Sequence, residues 1–169
     1  MKKSLLKIIS LLLIIAAGGL VLWLINKNFP ATGQLEIEAV LGQDQPIISR
    51  LGPDPRLKLG NDYQIVLDSP VYFDLRSPRW FDQARIELIY KEGGRKLEYL
   101  AGRVGPEWQY NPQAATVITD LEDGWKKAVF DFDLNTLYEE KNVKRFLIST
   151  QGEIRQELYL KPIKVILKR

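Results

Sequence analysis

An all-β, antiparallel sandwich carried behind one N-terminal transmembrane helix is the architecture this sequence predicts. Three observations predict it. A charge-free apolar run lies near the start, apolar side chains alternate along nearly every later segment, and turn residues recur about every ten residues. The same spacing also admits closure as a barrel.

The apolar run comes first. Lys2, Lys3 and Lys7 precede an uncharged stretch from Ile8 to Ile25, which as a helix spans roughly 27 Å. With Leu5, Leu6 and an interfacial Trp23, residues 5–25 cover a hydrocarbon layer about 30 Å thick. No polar face interrupts Leu11 to Ile25, which disfavours a buried core helix. Ala16-Ala17-Gly18 also suits a signal-peptide cleavage site, but cleavage there leaves an apolar terminus at Leu20–Ile25. The lysines keep the start cytoplasmic, so the expected location is a bacterial cell membrane, single-pass, with the C-terminal domain outside. The expected division is 1–28 as cytoplasmic stub and anchor, 29–33 as linker, and 34–169 as the extracytoplasmic domain. Pro30 and Gly33, within NKNFPATG, break the periodicity there.

Without residues 1–29 the chain keeps 20 basic and 21 acidic groups, so its overall basicity belongs largely to the anchor and does not argue for nucleic acid. No cysteine is present to form a disulfide or carry a lipid, and stability outside the cytoplasm must come from packing. The chain also has no Asn-x-Ser/Thr sequon, in keeping with a bacterial surface protein.

Leu35, Ile37, Ala39 and Leu41 alternate with Glu36 and Glu38, a half-buried strand. The proline-interrupted stretch 43–62 predicts loop with one short strand. In DYQIVLDSPVYFDLR the odd positions Tyr63, Ile65, Leu67, Val71, Phe73 and Leu75 are apolar. Pro70 predicts either an edge strand or two strands meeting at a bulge. Ala84, Ile86, Leu88 and Tyr90 predict a strand that turns at Gly93-Gly94 into a hairpin partner carrying Leu97, Tyr99 and Ala101. Further strands are expected at 108–110, 115–120, 126–134 and 144–150, with NTLYEEKNV able to hold one helical turn. In the last strand the apolar parity switches across Lys161-Pro162, which predicts a bulge.

From Gly124 to Leu167 the order GWKKAVFDFDLNTL, KRFLIST, ELYLKPIKVIL resembles the C-terminal part of galactose-binding-like and carbohydrate-binding-module jelly rolls. The resemblance implies a jelly-roll-like sandwich. Those modules often carry Asp-Asn-Ile in the closing strand; this chain has Lys161-Pro162-Ile163, so the resemblance carries over the fold and no ligand or calcium site.

Catalysis finds little material. Histidine and cysteine are both absent, which excludes Ser-His and Cys-His nucleophile arrangements and removes the commonest ligands of catalytic zinc. Asp120, Glu122 and Asp123 offer paired carboxylates of the kind glycosidases use, in a segment that also makes an ordinary polar turn. Asp131 and Asp133 share a strand face, but two carboxylates are too few for calcium. KEGGRK reads as a hairpin turn with solubilising charges. No cofactor is implied.

The aromatics carry the remaining signal. Trp80 shares parity with Ala84 and Ile86 and is expected to cover the core. Trp108 and Tyr110 fall on one side of a short strand, and Trp125 shares the polar face of Lys127 and Asp131, which makes it the tryptophan expected to be most exposed. Trp108, Tyr110 and Trp125 are therefore the candidate ligand or partner contacts. The first expectation is a non-catalytic domain that binds or scaffolds another envelope or membrane protein, favoured by a short tether and by the small residues Ala16–Gly19 in the span. The second is a surface glycan-binding module, and the third a polysaccharide-active enzyme.

Overall fold

The computed structural model describes residues 2–28 and 33–169, with side chains described for 7–24 and 33–169. The expected linker therefore lies, apart from Gly33, outside the described residues. The chain divides into two compact units, one ending at Leu35 and the other spanning Glu36–Arg169.

The first unit is the helix α1, Lys2–Asn28. Its segment Lys7–Leu24 is long and apolar enough to cross a membrane, and none of that segment is buried. Trp23 is 58% exposed.

The second unit is an antiparallel β-sandwich. One layer has eight strands: β1 (Gln34–Glu38), β2 (Leu57–Leu59), β3 (Gln64–Val66), β5 (Gln83–Gly93), β8 (Val117–Asp120), β9 (Lys126–Asp133), β12 (Glu157–Leu160) and β13 (Lys164–Lys168). The other has five: β4 (Val71–Leu75), β6 (Lys96–Arg103), β7 (Tyr110–Gln113), β10 (Glu139–Glu140) and β11 (Val143–Gln151). Alternation places Ala84, Ile86 and Leu88 of β5 and Phe130 and Phe132 of β9 inward from the first layer, all at most 1% exposed. Val71, Phe73, Phe146 and Ile148 meet them from the second layer with no exposure. Phe146 joins the layers: its ring stacks on Phe73 at 5.3 Å and meets Phe132 edge-on at 5.0 Å. The two faces close one core, as a sandwich does.

Layer changes between consecutive strands give the jelly-roll character. The chain crosses from β3 to β4, β4 to β5, β5 to β6, β7 to β8, β9 to β10 and β11 to β12. Two expectations are corrected by these crossings. The Gly93-Gly94 turn does not fold a hairpin back on itself, since β5 pairs with β9, β12 and β13 while β6 pairs with β7 and β11. Alternation specifies which side chains point inward and says nothing about which strand lies alongside. Here Gly93 lets β12 pass closely, since a Cβ would stand 2.7 Å from the Tyr159 ring, and Gly94 has φ +101. The segment around Pro70 is also a crossing. As a result β3 faces its odd residues outward: Gln64 and Val66 are buried, while Tyr63, Ile65 and Leu67 are half-buried.

Arg95 sits at the corner opened by the β5–β6 crossing and is 4% exposed. It does not act as a solubilising charge. Its guanidinium donates to the carbonyls of Gln156, Leu67 and Glu153 and to the Thr150 hydroxyl at 2.9–3.3 Å, tying three loops together.

The expected bulge is present. Leu160 pairs with Tyr90 and Lys164 with Glu87, so four steps along one strand face three along β5. Elsewhere the turn in NTLYEEKNV is a short 3-10 helix, Leu134–Thr136.

Candidate functional site

The outward face of the five-stranded layer is built by the residues that alternate with its core positions. Two rows cross it. Tyr72 of β4 pairs with Leu147 of β11, which pairs with Ala101 of β6, which pairs with Pro112 of β7. One step along, Asp74 pairs with Arg145, and Arg103 pairs with Tyr110. Aromatic and charged side chains thus share one surface.

The charges there are ordered by one another. Arg145 holds Asp74 in a bidentate fork at 2.7 and 2.9 Å, with its guanidinium 4.6 Å from the centre of the Tyr72 ring. Arg103 donates to Glu140 at 3.0 Å and to the Gly105 carbonyl at 3.0 Å, and lies 4.8 Å from the Tyr138 ring. Between these pairs runs a cleft of about 280 Å³ lined by Asp74, Arg103, Glu140, Lys141, Val143 and Arg145. Hydrogen bonding to Asp74 raises the Arg145 guanidinium above its ordinary range.

Beside the cleft stands an aromatic pair. Trp108, in the β6–β7 loop, is 71% exposed, and its ring lies 6.2 Å from that of Tyr110 at an angle of 35°. Partial burial pushes the Tyr110 phenol up, opposed by Arg145 and Arg103 and aided by Asp74 and Tyr72. The phenol is therefore protonated at neutral pH and able to donate. Because its folded pKa is raised, the stabilisation it contributes is complete below the ordinary phenol pKa of about 10 and is lost as pH rises through the higher folded value. Thermal unfolding followed across alkaline pH should show a decline that sets in near the ordinary phenol value of about 10 and ends once the pH has passed the folded value. Tyr110→Phe should remove part of the decline, and an identical alkaline profile in that variant would contradict the assignment.

Trp125 belongs elsewhere. It precedes β9 on the outward parity of the eight-stranded layer, so the three candidate contacts do not form one site. The Lys161 ammonium lies 4.7 Å from the centre of its ring, and Tyr63, itself edge-on to Tyr159 at 5.3 Å, stands at 6.3 Å. Trp125 is consequently half-buried, the least exposed of the four tryptophans. Sequence parity gave it the right face and could not show the side chains that cover it. Asp120, Glu122 and Asp123 line the open groove of about 750 Å³ beside it, together with Ile89, Leu121 and Lys161. Asp131 is held by Arg85 at 2.8 and 3.2 Å, which lowers its carboxyl, and Asp133 accepts the Asn135 N–H at 2.9 Å.

Trp80 also departs from expectation. Phe81, 3% exposed, covers the core, and Trp80 is 38% exposed with its ring 6.2 Å from that of Phe81. The turn at Arg79–Trp80 interrupts the extended backbone, so the parity of β5 does not carry back across it.

No protein-family model matches the chain, and no curated protein does. Solved structures do. A xylan-binding module, CBM15, superposes with a TM-score of 0.48 at 11% identity, covering 80% of this chain and 97% of that one. TmCBM27, a carbohydrate-binding module described for specific mannan recognition, gives a TM-score of 0.36 at 14% identity, covering 79% and 88%. Both scores are below 0.5, and neither likeness assigns a ligand or a residue here.

Tyr72, Asp74, Arg103, Glu140 and Arg145 were not singled out from the sequence. Part of the signal was present in VYFDL, where Tyr72 and Asp74 alternate with core positions, and in KRFLIST, where Arg145 stands beside the core residue Phe146. What joins them is pairing between residues far apart in the chain, 71 positions for Arg145 and Asp74.

Proposed function

We propose that this chain is a non-catalytic, membrane-anchored β-sandwich that binds carbohydrate on the outward face of its five-stranded layer. The observation that carries the reading is the exposed Trp108 beside Tyr110, next to a cleft walled by pre-ordered Arg–carboxylate pairs. Apolar faces of pyranose rings suit aromatic platforms, and sugar hydroxyls suit fixed donors and acceptors at the rim. Since Arg145 and Arg103 are each matched by a carboxylate, the face favours an uncharged oligosaccharide over an acidic one. The separate occupation of Trp125 by Lys161 removes it from this site.

The lysines at the start of α1 support a cytoplasmic amino end and an outer sandwich on a bacterial cell membrane. A protein partner in that membrane draws no comparable support from the sandwich surface, and carbohydrate is the reading preferred.

A glycan array probed with the full chain in detergent tests the proposal. We expect retention of neutral oligosaccharides. Trp108→Ala should cost about 2 kcal/mol, roughly a thirtyfold loss of affinity, and Tyr110→Ala a similar amount, while Trp125→Ala binds as the parent does. Binding that survives both platform substitutions and fails with Trp125→Ala would move the site to the other layer.

A further inference from the structure

One end of the sandwich is fixed by where the chain enters it. Ala39, just after β1, donates to the carbonyl of Ile163, just before β13. β1 therefore runs antiparallel to β13, and its start lies by the end of β13. Lys168, the last residue of β13, pairs with Gln83, the first of β5, and its carbonyl accepts from the Asp82 N–H at 2.9 Å. The turn Ser77–Trp80 that leads into β5 is thus about two strand spacings, on the order of 10 Å, from the point of entrance.

That turn carries an unusual group of side chains. Trp80 is 38% exposed, the exposed Arg76 and Arg79 precede it in the chain, and half-buried Lys168 ends the strand that pairs with the start of β5. Among the described residues, none of these three cations is in an ion pair. Arg76 only touches the Pro46 carbonyl at 3.5 Å, and the carboxylates that feel Arg79 and Lys168, Glu139 and Asp131, are bonded to Lys144 and Arg85. By contrast Arg50, Arg56, Arg85, Arg103 and Arg145 all pair with carboxylates.

The tether supplies the location. From Asn28, the last residue of α1, to Gln34, the first of β1, the intervening residues reach at most about 20 Å when fully extended. An exposed tryptophan among cations outside ion pairs is the composition of a membrane-interface contact, with the indole at headgroup depth and the cations on anionic phosphates.

We infer that the surface formed by Arg76, Arg79, Trp80 and Lys168 rests on the anionic headgroups of the membrane that α1 crosses. The inference rests on the membrane reading of α1, independently of the carbohydrate reading. The occupant is a lipid surface, since the tether presents one to this end and the charge complements it.

The absence of cysteine allows single reporters in the full chain. A fluorophore on Ser77→Cys, in nanodiscs of phosphatidylcholine and phosphatidylglycerol carrying a nitroxide on the lipid headgroup, reports contact. The same label on Ile154→Cys, a 92% exposed residue in the β11–β12 loop at the opposite end, is the control. We expect strong quenching at residue 77, little at 154, and loss of the quenching at 77 when phosphatidylglycerol is omitted. Arg76→Glu with Arg79→Glu should weaken contact by at least about tenfold with the unfolding transition unchanged. Equal quenching at both labels, or quenching at 77 indifferent to lipid charge, overturns the inference while leaving α1 as an anchor. A chain that does not stay in the nanodisc overturns the anchor and this contact together, and glycan retention is unaffected by either result.

Discussion

Arg95→Ala should lower the stability of the sandwich by about 3 kcal/mol, one of the two largest effects expected of any single substitution. The guanidinium is 4% exposed, and its donors satisfy three backbone carbonyls and one hydroxyl where the chain passes between layers. Alanine removes these donors, with the Glu153 carbonyl keeping the Gln156 N–H, and opens a void at the corner. Each hydrogen bond to a charged group contributes about 1.5–3 kcal/mol, and relaxation of the loops recovers part of the loss. Arg95→Lys should recover little, because an ammonium is a point donor and cannot span acceptors set around a planar fork. Chemical denaturation read by tryptophan fluorescence measures this. A change below about 0.5 kcal/mol, the size of an ordinary surface substitution, would mean the corner holds without Arg95.

Phe146→Ala should cost about 4 kcal/mol. The ring is fully buried, stacked on Phe73 within its own layer and edge-on to Phe132 of the opposite one. Its removal takes away apolar contact on both sides of the core at once, and strands held by ladders on each side cannot close the gap. A double-mutant cycle of Phe146→Leu with Phe132→Leu should show coupling of about 0.5–1.5 kcal/mol. Additive effects would indicate that the two layers are joined elsewhere.

These two residues also show what the sequence disclosed. Phe146 alternates with its neighbours in KRFLIST, and β1, β5, β9 and β13 follow from the same period. The bulge at Lys161-Pro162 was equally plain, because a one-residue slip exchanges the faces of a strand and must be corrected within it. Arg95 was not legible. Composition placed it in a charged Gly-Gly turn, and nothing local distinguishes a turn that closes a hairpin from one that changes layer.

The candidate site divides in the same way. Trp108 and Tyr110 were found because aromatic residues stand out near a turn, and they adjoin in the structure. Trp125 had the same credentials and lies in the other layer under Lys161. Trp80 was assigned to the core by parity carried across a turn, and its neighbour Phe81 takes that place. Asp74 and Arg145 needed the register of β4 against β11, which is a tertiary fact.

The central claim, carbohydrate on the outer face of the five-stranded layer, is tested most directly by the four tryptophan indole N–H resonances. The isotope-labelled full chain would be titrated with neutral oligosaccharides. The account predicts that the Trp108 signal shifts in a saturable way while those of Trp23, Trp80 and Trp125 stay in place. A saturable shift of Trp125 with Trp108 unmoved, or no response to any oligosaccharide, would contradict it.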